Sequence, residues 1–434
     1  MRIQRLVLML LLCLCARNAD SAMCTKHHYF TFDGGKVYCS IVNDKDKTIQ
    51  IVNRAPTCGS DWVLTVMARV EHELNSSVIT LPSRVEVRYY DGYTDKPVGT
   101  YTLTDIGSNA FEGCGNLQRI TLPHTVKNIG SGAFRNCGSL QSVNIPATVE
   151  NVNLDAFDGC NNLRELIVGN GVPNQGLKYF SFDGILCRDS EIIYCPRSFS
   201  KATLDIPTEV KRIANNVFAD KQQLMALHFQ SAVKIGVSSF KNCQSLQEII
   251  LSEGISEIPE SAFENCTALE TIKIPSSVTT IGKRAFFGCM LLESVDLSDG
   301  LEEIGCSAFE SCISLKAVTI PCTIRSIIDN AFKGCSDLQS VTFAENTTDL
   351  RYLWNGAFSF CSSLKEIILP AGLEKIDVKV FLGCSSLERV VVNEELKTID
   401  RYAFMGCSNL SSINIPEQTK IYEETFIDCP KLIL

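Results

Sequence analysis

Twelve of the 21 cysteines occupy one position of a recurring pattern, three residues after a phenylalanine. They are Cys114, Cys137, Cys160, Cys243, Cys266, Cys289, Cys312, Cys335, Cys361, Cys384, Cys407 and Cys429. Thiols can form disulfides or bind metal, but identical side chains in successive repeats point the same way, whereas a disulfide needs converging Cβ vectors. Zinc needs four ligands around one point. We therefore predict that these thiols are small buried core residues.

The remaining cysteines follow no repeat. Cys187 and Cys195 lie on neighbouring predicted strands of an insertion, and we consider them a candidate disulfide. Cys24, Cys39 and Cys58 could form disulfides near the N-terminus, whereas the sequence assigns no role to Cys306 and Cys322.

Acid–base chemistry has no clear centre in this sequence. The five histidines are scattered and show no spacing typical of a catalytic triad or a zinc motif: His27, His28, His72, His124 and His228. No glycine-rich phosphate loop follows a predicted strand either. The sequence therefore predicts a protein that is not an enzyme and has no cofactor or metal. The alternative, an enzyme confined to residues 24–100, is weak because that stretch is β-like and has few acid–base pairs.

The elements that position these residues come from a repeat of about 23 residues. Its clearest marker is a phenylalanine, present thirteen times: Phe111, Phe134, Phe157, Phe218, Phe240, Phe263, Phe286, Phe309, Phe332, Phe358, Phe381, Phe404 and Phe426. One coil buries too little apolar surface to offset its backbone entropy, so successive coils must stack on a shared core. The repeat therefore predicts a solenoid.

Apolar spacing within one coil predicts its local structure. Phe111, Cys114 and Leu117 are three residues apart, which is typical of short helical turns, whereas Ile120 and Leu122 alternate as in a strand. Proline then ends the strand, and Val126 and Ile129 point back inside. We predict a parallel β-sheet on one face, with short helical turns in each coil.

The segments GSNAFEGCGNLQRITLP and TIGKRAFFGCMLLESVDL closely resemble BspA-like leucine-rich repeats. FSFDGILCRDSEIIYCP is similar to the hairpin insertion of that family, and FTFDGGKVYCSIV with ITLPSRVEV resembles its β-rich start. The resemblance implies a cell-surface or secreted protein of adhesion and host interaction. It predicts a β-rich N-terminal cap at residues 23–100 and a leucine-rich-repeat solenoid at 101–434, with the hairpin insertion at about 179–200.

The N-terminus has the features of a secretory signal peptide at residues 1–22. Arg2 and Arg5 precede an apolar run that is too short to span a bilayer, and small residues follow it. Removing residues 1–21 would leave 37 basic and 48 acidic residues. This net charge disfavours nucleic acid and anionic membranes as partners. With no second long apolar stretch, we expect no transmembrane segment and a secreted or cell-surface location.

Departures from the repeat indicate where this chain is individual. Lys221 stands where other repeats have cysteine, which suggests a locally opened coil. Three extra residues lie between Phe332 and Phe358, and Trp354 occupies a slot usually held by glycine. Tyr352 and Trp354 are therefore candidate partner-binding residues. The alternative is that both rings pack under a longer loop.

A solenoid sheet faces outward with its polar strand positions, so these are the other candidate partner-binding residues. They are Arg119, Gln141, Arg164, Gln247, Glu270, Lys273, Glu293, Lys316, Lys365 and Arg389. This mixed, polar face fits an extracellular protein or glycan and equally fits plain solvated strands. The sequence thus favours an extracellular binding or adhesion module, and the alternative is a structural or self-associating surface protein.

Overall fold

The computed structural model describes residues 27–32, 35–43, 48–51, 77–90, 93–171 and 177–433. Residues 1–161 and 162–434 form two compact units, which we describe separately. The predicted signal peptide, Cys24, Cys58 and His72 lie outside the described residues.

The first unit is built from ten strands and one 3-10 helix, Leu154–Phe157. The strands are β1 His27–Phe32, β2 Gly35–Asn43, β3 Thr48–Ile51, β4 Val78–Thr80, β5 Arg84–Tyr90, β6 Asp95–Ile106, β7 Arg119–Thr121, β8 Asn128–Ile129, β9 Ser142–Ile145 and β10 Asn151–Val152. Strands β1, β2, β3, β6 and β5 pair in that order, and β5 pairs back to β1, which closes a ring. Parallel ladders then begin: β6, β8 and β10 form one, and β4, β7 and β9 form the other.

The second unit begins with an insertion and continues as regular coils. Its first strands are β11 Glu165–Val168, β12 Tyr179–Phe182, β13 Ile185–Arg188, β14 Glu191–Tyr194, β15 Thr203–Ile206, β16 Arg212–Ile213, β17 Ala226–Phe229 and β18 Glu248–Ile250. Strands β12, β13 and β14 are antiparallel, so the predicted hairpin insertion contains three strands. Strand β14 then pairs in parallel with β16, and this pairing joins the insertion to the repeats.

Two parallel sheets run through the regular coils of the second unit. The long-strand sheet consists of β20 Thr271–Ile274, β22 Ser294–Leu297, β24 Ala317–Ile320, β26 Ser340–Phe343, β28 Glu366–Ile368, β30 Arg389–Val391 and β32 Ser412–Asn414. The short-strand sheet consists of β19 Glu257–Ile258, β21 Thr280–Ile281, β23 Glu303–Ile304, β25 Ser326–Ile327, β27 Tyr352–Leu353, β29 Lys375–Ile376, β31 Thr398–Ile399 and β33 Lys420–Ile421. Buried residues of both sheets belong to one core, so the fold is a parallel β-solenoid with a second sheet that the sequence did not predict.

The predicted short helical turns are wrong. In a typical coil, the N–H groups of Ser307, Phe309 and Ser311 bond to carbonyls of the next coil, at 2.8 to 2.9 Å. The alternate N–H groups of Ala308 and Cys312 bond to carbonyls three residues back. A helix needs every N–H to bond within its own segment, so this side of the coil is a chain of turns.

Left-handed residues enforce these turns. Ser307 and Ser311, two residues before and after Phe309, have φ values of 55° and 64°. Such residues interrupt a right-handed helix, and asparagine and glycine, which tolerate this conformation best, are common at the equivalent positions. In the coil of Phe157 only the second of the two positions, Gly159, has positive φ. That coil contains the one 3-10 helix of the described residues.

The repeated phenylalanines form the centre of the core. Phe286, Phe309 and Phe332 are fully buried and stack on one another with ring centroids 5.3 Å apart and planes within 5°. The same contact continues through the second unit from Phe218 to Phe426 and, in the first unit, from Phe111 to Phe157. Each ring is therefore covered by the next coil, which explains why the coils fold together.

Candidate partner-binding surfaces

The repeated cysteines take a structural part in the turns. The thiol of Cys312 donates to the carbonyl oxygen of Phe286 in the preceding coil at 3.2 Å, and that of Cys335 donates to Phe309 at 3.3 Å. The Phe309 carbonyl also accepts the backbone N–H of Cys312. A buried carbonyl thus has both lone pairs satisfied, and the thiol is the second donor.

These thiols are free, and eleven of the twelve are buried. All twelve are unbridged, and burial raises the pKa of Cys289 and of Cys384 to about 12. A protonated thiol is a poor nucleophile and a poor metal ligand. The predicted role of these cysteines as buried core residues is therefore the one their geometry supports.

The candidate disulfide partners are also free thiols in this structure. Cys187 lies opposite Ile192 across the β13–β14 pair, whereas Cys195 follows β14. Both are buried in the core, and burial raises the pKa of Cys195 to about 12. The register pairs Cys187 with Ile192 and Leu186 with Tyr194, so Cys187 and Cys195 are not directly opposite each other.

Lys221 does not open its coil. Its ammonium nitrogen donates to the carbonyl oxygen of Pro196 at 2.8 Å and lies 3.5 Å from that of Arg197. The turn bond from the Leu224 N–H to the Lys221 carbonyl is kept, at 3.2 Å. The lysine ammonium therefore replaces the thiol as the donor to the preceding coil. The expectation of an opened coil is wrong.

The predicted sheet-face residues fall into two groups, one in each unit. Arg119 and Gln141 lie on or beside β7 and β9 of the first unit. In the second unit, Glu270, Glu293 and Lys316 immediately precede successive strands, and their backbones are hydrogen bonded in order. The structure places the others on the same outward side of their coils, and all of them are exposed: Arg164, Gln247, Lys273, Lys365 and Arg389.

Charges on the long-strand sheet pair between neighbouring coils. Lys316 Nζ lies 2.6 Å from Glu293 Oε2, and Arg389 lies 2.9 Å from Glu366. Lys273 is 3.9 Å from Asp296. Exposed pairs of this kind contribute about 0–1 kcal/mol each to folding, so these side chains remain available to a partner at little cost.

Tyr352 and Trp354 lie elsewhere, on the short-strand sheet. Their rings are 45% and 42% exposed, and they meet edge to face with centroids 6.2 Å apart. The two aromatics therefore do not pack under a longer loop. The structure brings them together with each other, but not with the charged residues of the long-strand sheet.

Sequence reasoning missed the neighbours of this aromatic pair. Backbone pairing aligns Tyr352 with Lys375, and the N–H of Asp377 bonds to the Leu353 carbonyl at 3.0 Å. Lys375 Nζ lies 3.2 Å from both Asp377 and Asp400. An alignment of the repeats could have indicated these neighbours. The repeat position occupied by Gly282 and Gly305 carries large or charged side chains in later coils.

Histidine and metal chemistry remain without a centre in the described part of the chain. His228 Nδ1 lies 2.8 Å from Asp205 and its Nε2 lies 3.7 Å from Glu248, on an outward sheet face. No three His, Cys, Asp or Glu side chains among the described residues are grouped so that they could hold a metal ion. The described residues also include no helix long and apolar enough to cross a membrane.

The model of the BspA type leucine rich repeat region matches six copies in this chain, over residues 95–201, 193–316 and 302–433. The chain belongs to this family. Solenoids of the BspA type are typically non-enzymatic scaffolds.

The chain is also similar to solved leucine-rich repeat structures. A leucine-rich repeat protein from Bacteroides ovatus is 25% identical, with a TM-score of 0.63, and the match covers 91% of this chain and 99% of that one. A leucine rich cell surface protein from Faecalibacterium prausnitzii is 24% identical, with a TM-score of 0.41, over 91% of this chain and 95% of that one. No curated protein matches the sequence significantly.

Proposed function

We propose that this chain is an extracellular or surface-exposed protein-binding and adhesion module that uses the outward face of its long-strand sheet. The observation that carries the proposal is the register of that sheet. Seven parallel strands present outward polar side chains of both signs in aligned columns, while the alternate side chains are buried. A rigid, extended, hydrated surface of this kind suits a broad and shallow protein contact.

Family membership supports the same reading. BspA-type repeats are found in proteins of the leucine-rich cell-surface class, and the Faecalibacterium prausnitzii relative is described as a cell surface protein. The apolar N-terminal run predicts export. The protonated, buried thiols fit a protein whose cysteines serve packing, so the core would persist in an oxidising environment.

The test is a binding screen of the purified mature chain against laminin, collagen and fibronectin, followed by a matched pair of variants. Lys316→Glu reverses a charge on the long-strand sheet, and Lys397→Glu does so on the other sheet. Each breaks one exposed ion pair, Lys316–Glu293 at 2.6 Å or Lys397–Glu374 at 2.7 Å. We expect only Lys316→Glu to weaken binding, by roughly tenfold. Equal effects of both variants, or binding to none of the three proteins with concentration-dependent self-association instead, would refute the proposal.

A further inference from the structure

The residue that follows each strand of the short-strand sheet changes along the second unit, from glycine to larger side chains. At Gly282 and Gly305, an added Cβ would lie 2.8 Å from backbone atoms of the preceding coil, so these corners accept no side chain. The equivalent positions further on are Ile328, Trp354, Asp377, Asp400 and Tyr422. They remain in the ladder, because the N–H of Asp400 bonds to the Ile376 carbonyl at 2.9 Å and that of Tyr422 bonds to Ile399 at 3.1 Å. From Trp354 onward, this position therefore carries an aromatic or carboxylate side chain in every coil.

These groups form one surface, which we name the corner patch: Tyr352, Trp354, Lys375, Asp377, Asp400 and Tyr422. Tyr352 and Trp354 form its first edge, in one coil. The Lys375, Asp377 and Asp400 ion cluster lies in the next two coils. Tyr422 forms the far edge, and Lys420 Nζ lies 4.3 Å from its ring centroid. Three coil steps of about 4.8 Å separate the aromatic edges, or about 14 Å.

Charges in and beside the corner patch cancel. Lys375 and Lys420 oppose Asp377 and Asp400, and Lys375 is held by both carboxylates. The cluster is half-buried and fixed, since Asp377 Oδ1 also accepts the Val378 N–H at 2.7 Å and Asp400 Oδ1 accepts the Arg401 N–H at 2.8 Å. The middle of the corner patch therefore offers hydrogen-bond donors and acceptors in fixed positions, without a net charge.

We propose that the corner patch is a binding site for a neutral oligosaccharide. The C–H face of a pyranose ring packs on an exposed aromatic ring, and its hydroxyls both donate and accept hydrogen bonds. The aromatic pair at one edge and Tyr422 at the other supply stacking surfaces, and the carboxylates and ammonium between them match hydroxyl groups. The distance of about 14 Å between the edges suits a chain of a few linked sugars.

Charge and composition favour a neutral sugar over other occupants. An acidic glycan or a nucleic acid requires excess positive charge, whereas the corner patch has none. A protein hot spot has its aromatic anchor at the centre of a desolvated contact, but here the rings lie at the edges and the centre is ionic. This site is on the short-strand sheet and does not depend on the function proposed for the long-strand sheet.

The experiment is calorimetric titration of the full mature chain with four neutral sugars, cellotetraose, chitotriose, laminaritetraose and mannotriose, and with heparin for comparison, in low and high salt. Wild type should bind at least one of the four neutral sugars with little salt dependence. Trp354→Ala should weaken that binding about tenfold or more. The double variant Asp377→Asn, Asp400→Asn should also weaken sugar binding. Each substitution replaces one accepting carboxylate oxygen by a donating NH2 group, and Lys375 loses the charges that hold it in position.

Phe360→Asn is the matched control, because Phe360 is an exposed aromatic residue, 49% accessible, outside the corner patch. It should leave sugar binding unchanged, and far-ultraviolet circular dichroism should show the same fold in every variant. Four results would overturn the proposal: no binding to any of the four sugars, no loss with Trp354→Ala, equal loss with Phe360→Asn, or preference for heparin that salt abolishes. Loss of sugar binding with matrix-protein binding intact would separate this site from the long-strand sheet.

Discussion

Lys221 Nζ lies 2.8 Å from the carbonyl oxygen of Pro196 in the preceding coil, which is the contact that a cysteine thiol makes in other coils. Pro196 is buried, and its carbonyl also accepts the Phe199 N–H at 3.1 Å, so Lys221 supplies a second hydrogen bond to it. The position therefore requires a donor that reaches back one coil, and either side chain meets that requirement.

Replacing Lys221 tests this requirement. Lys221→Met keeps the apolar stem but removes the donor, so it should lower the free energy of unfolding by about 0.5–1.5 kcal/mol, the net contribution of one hydrogen bond. The Pro196 carbonyl keeps its bond from the Phe199 N–H. Lys221→Cys should restore the usual donor and cost less. Urea unfolding followed by circular dichroism measures both. Wild-type stability in Lys221→Met would show that the ammonium contact is dispensable.

The free thiols should differ in reactivity. Burial raises the pKa of Cys289 and Cys384 to about 12, so at pH 8 almost none of either thiol is the reactive thiolate. Cys306, Cys322 and Cys429 are half-buried. Iodoacetamide labelling of the native chain, followed by mass spectrometry, should modify these three cysteines first. Labelling of Cys289 at the same rate would contradict the closed core.

Glu264 should make stability sensitive to acid. Its carboxylate is buried, yet Arg284 at 2.7 Å and Lys241 at 3.3 Å overcome the effect of burial and hold its pKa at about 2. The folded state therefore favours the ionised form. This stability is present above the ordinary pKa of glutamate and is lost as pH falls through 2.

The variant Glu264→Gln should be less stable than wild type at pH 7, by about 1–3 kcal/mol, because Arg284 and Lys241 lose their counter-charge. The difference should shrink between pH 4.5 and pH 2, because Glu264 takes up its proton near pH 4.5 in the unfolded chain but only near pH 2 in the folded one. Thermal melts across this range measure it. A constant difference between the two proteins would mean that the ionisation of Glu264 is not linked to folding.

Phe360 is more strained than the glycine or asparagine at equivalent positions. Its φ is 59°, in a position where other coils have Gly383 or Asn265. A left-handed conformation costs an ordinary residue roughly 1–2 kcal/mol. We expect Phe360→Asn to raise the unfolding free energy by about 0.5–1 kcal/mol. Chemical denaturation checks this, and a clear loss of stability would show that the ring's contact with Gly383 outweighs the strain.

Much of the fold follows from the sequence because core positions repeat. Thirteen phenylalanines mark the coils. Because these rings stack on one another in the core, their spacing in the sequence gives the length of each coil. The helical turns were predicted wrongly because apolar spacing of three is shared by helices and by consecutive turns, and only the left-handed residues distinguish them. Two-residue strands such as Glu303–Ile304 are too short to show alternation, so the second sheet could not be predicted.

The candidate sites were predictable to different degrees. An outward position such as Lys273 follows from strand alternation, since its neighbours Ile272 and Ile274 are buried. Lys316 lies one residue before its strand, and alternation does not predict its exposure. The corner patch did not follow, because Lys375 and Asp400 meet through the register of successive coils. Tyr352 and Trp354 were candidates only because they depart from the repeat, and the sheet on which they lie was not predicted.

Lysine footprinting of the bound chain tests the proposed binding surface most directly. The complex with the matrix protein that binds best would be acetylated with a water-soluble reagent and compared with the free chain by mass spectrometry. We predict protection of Lys273, Lys316 and Lys365 on the long-strand sheet, with Lys397 and Lys420 on the other sheet still labelled. Protection of Lys397 and Lys420 while Lys316 and Lys365 stay reactive would contradict the account.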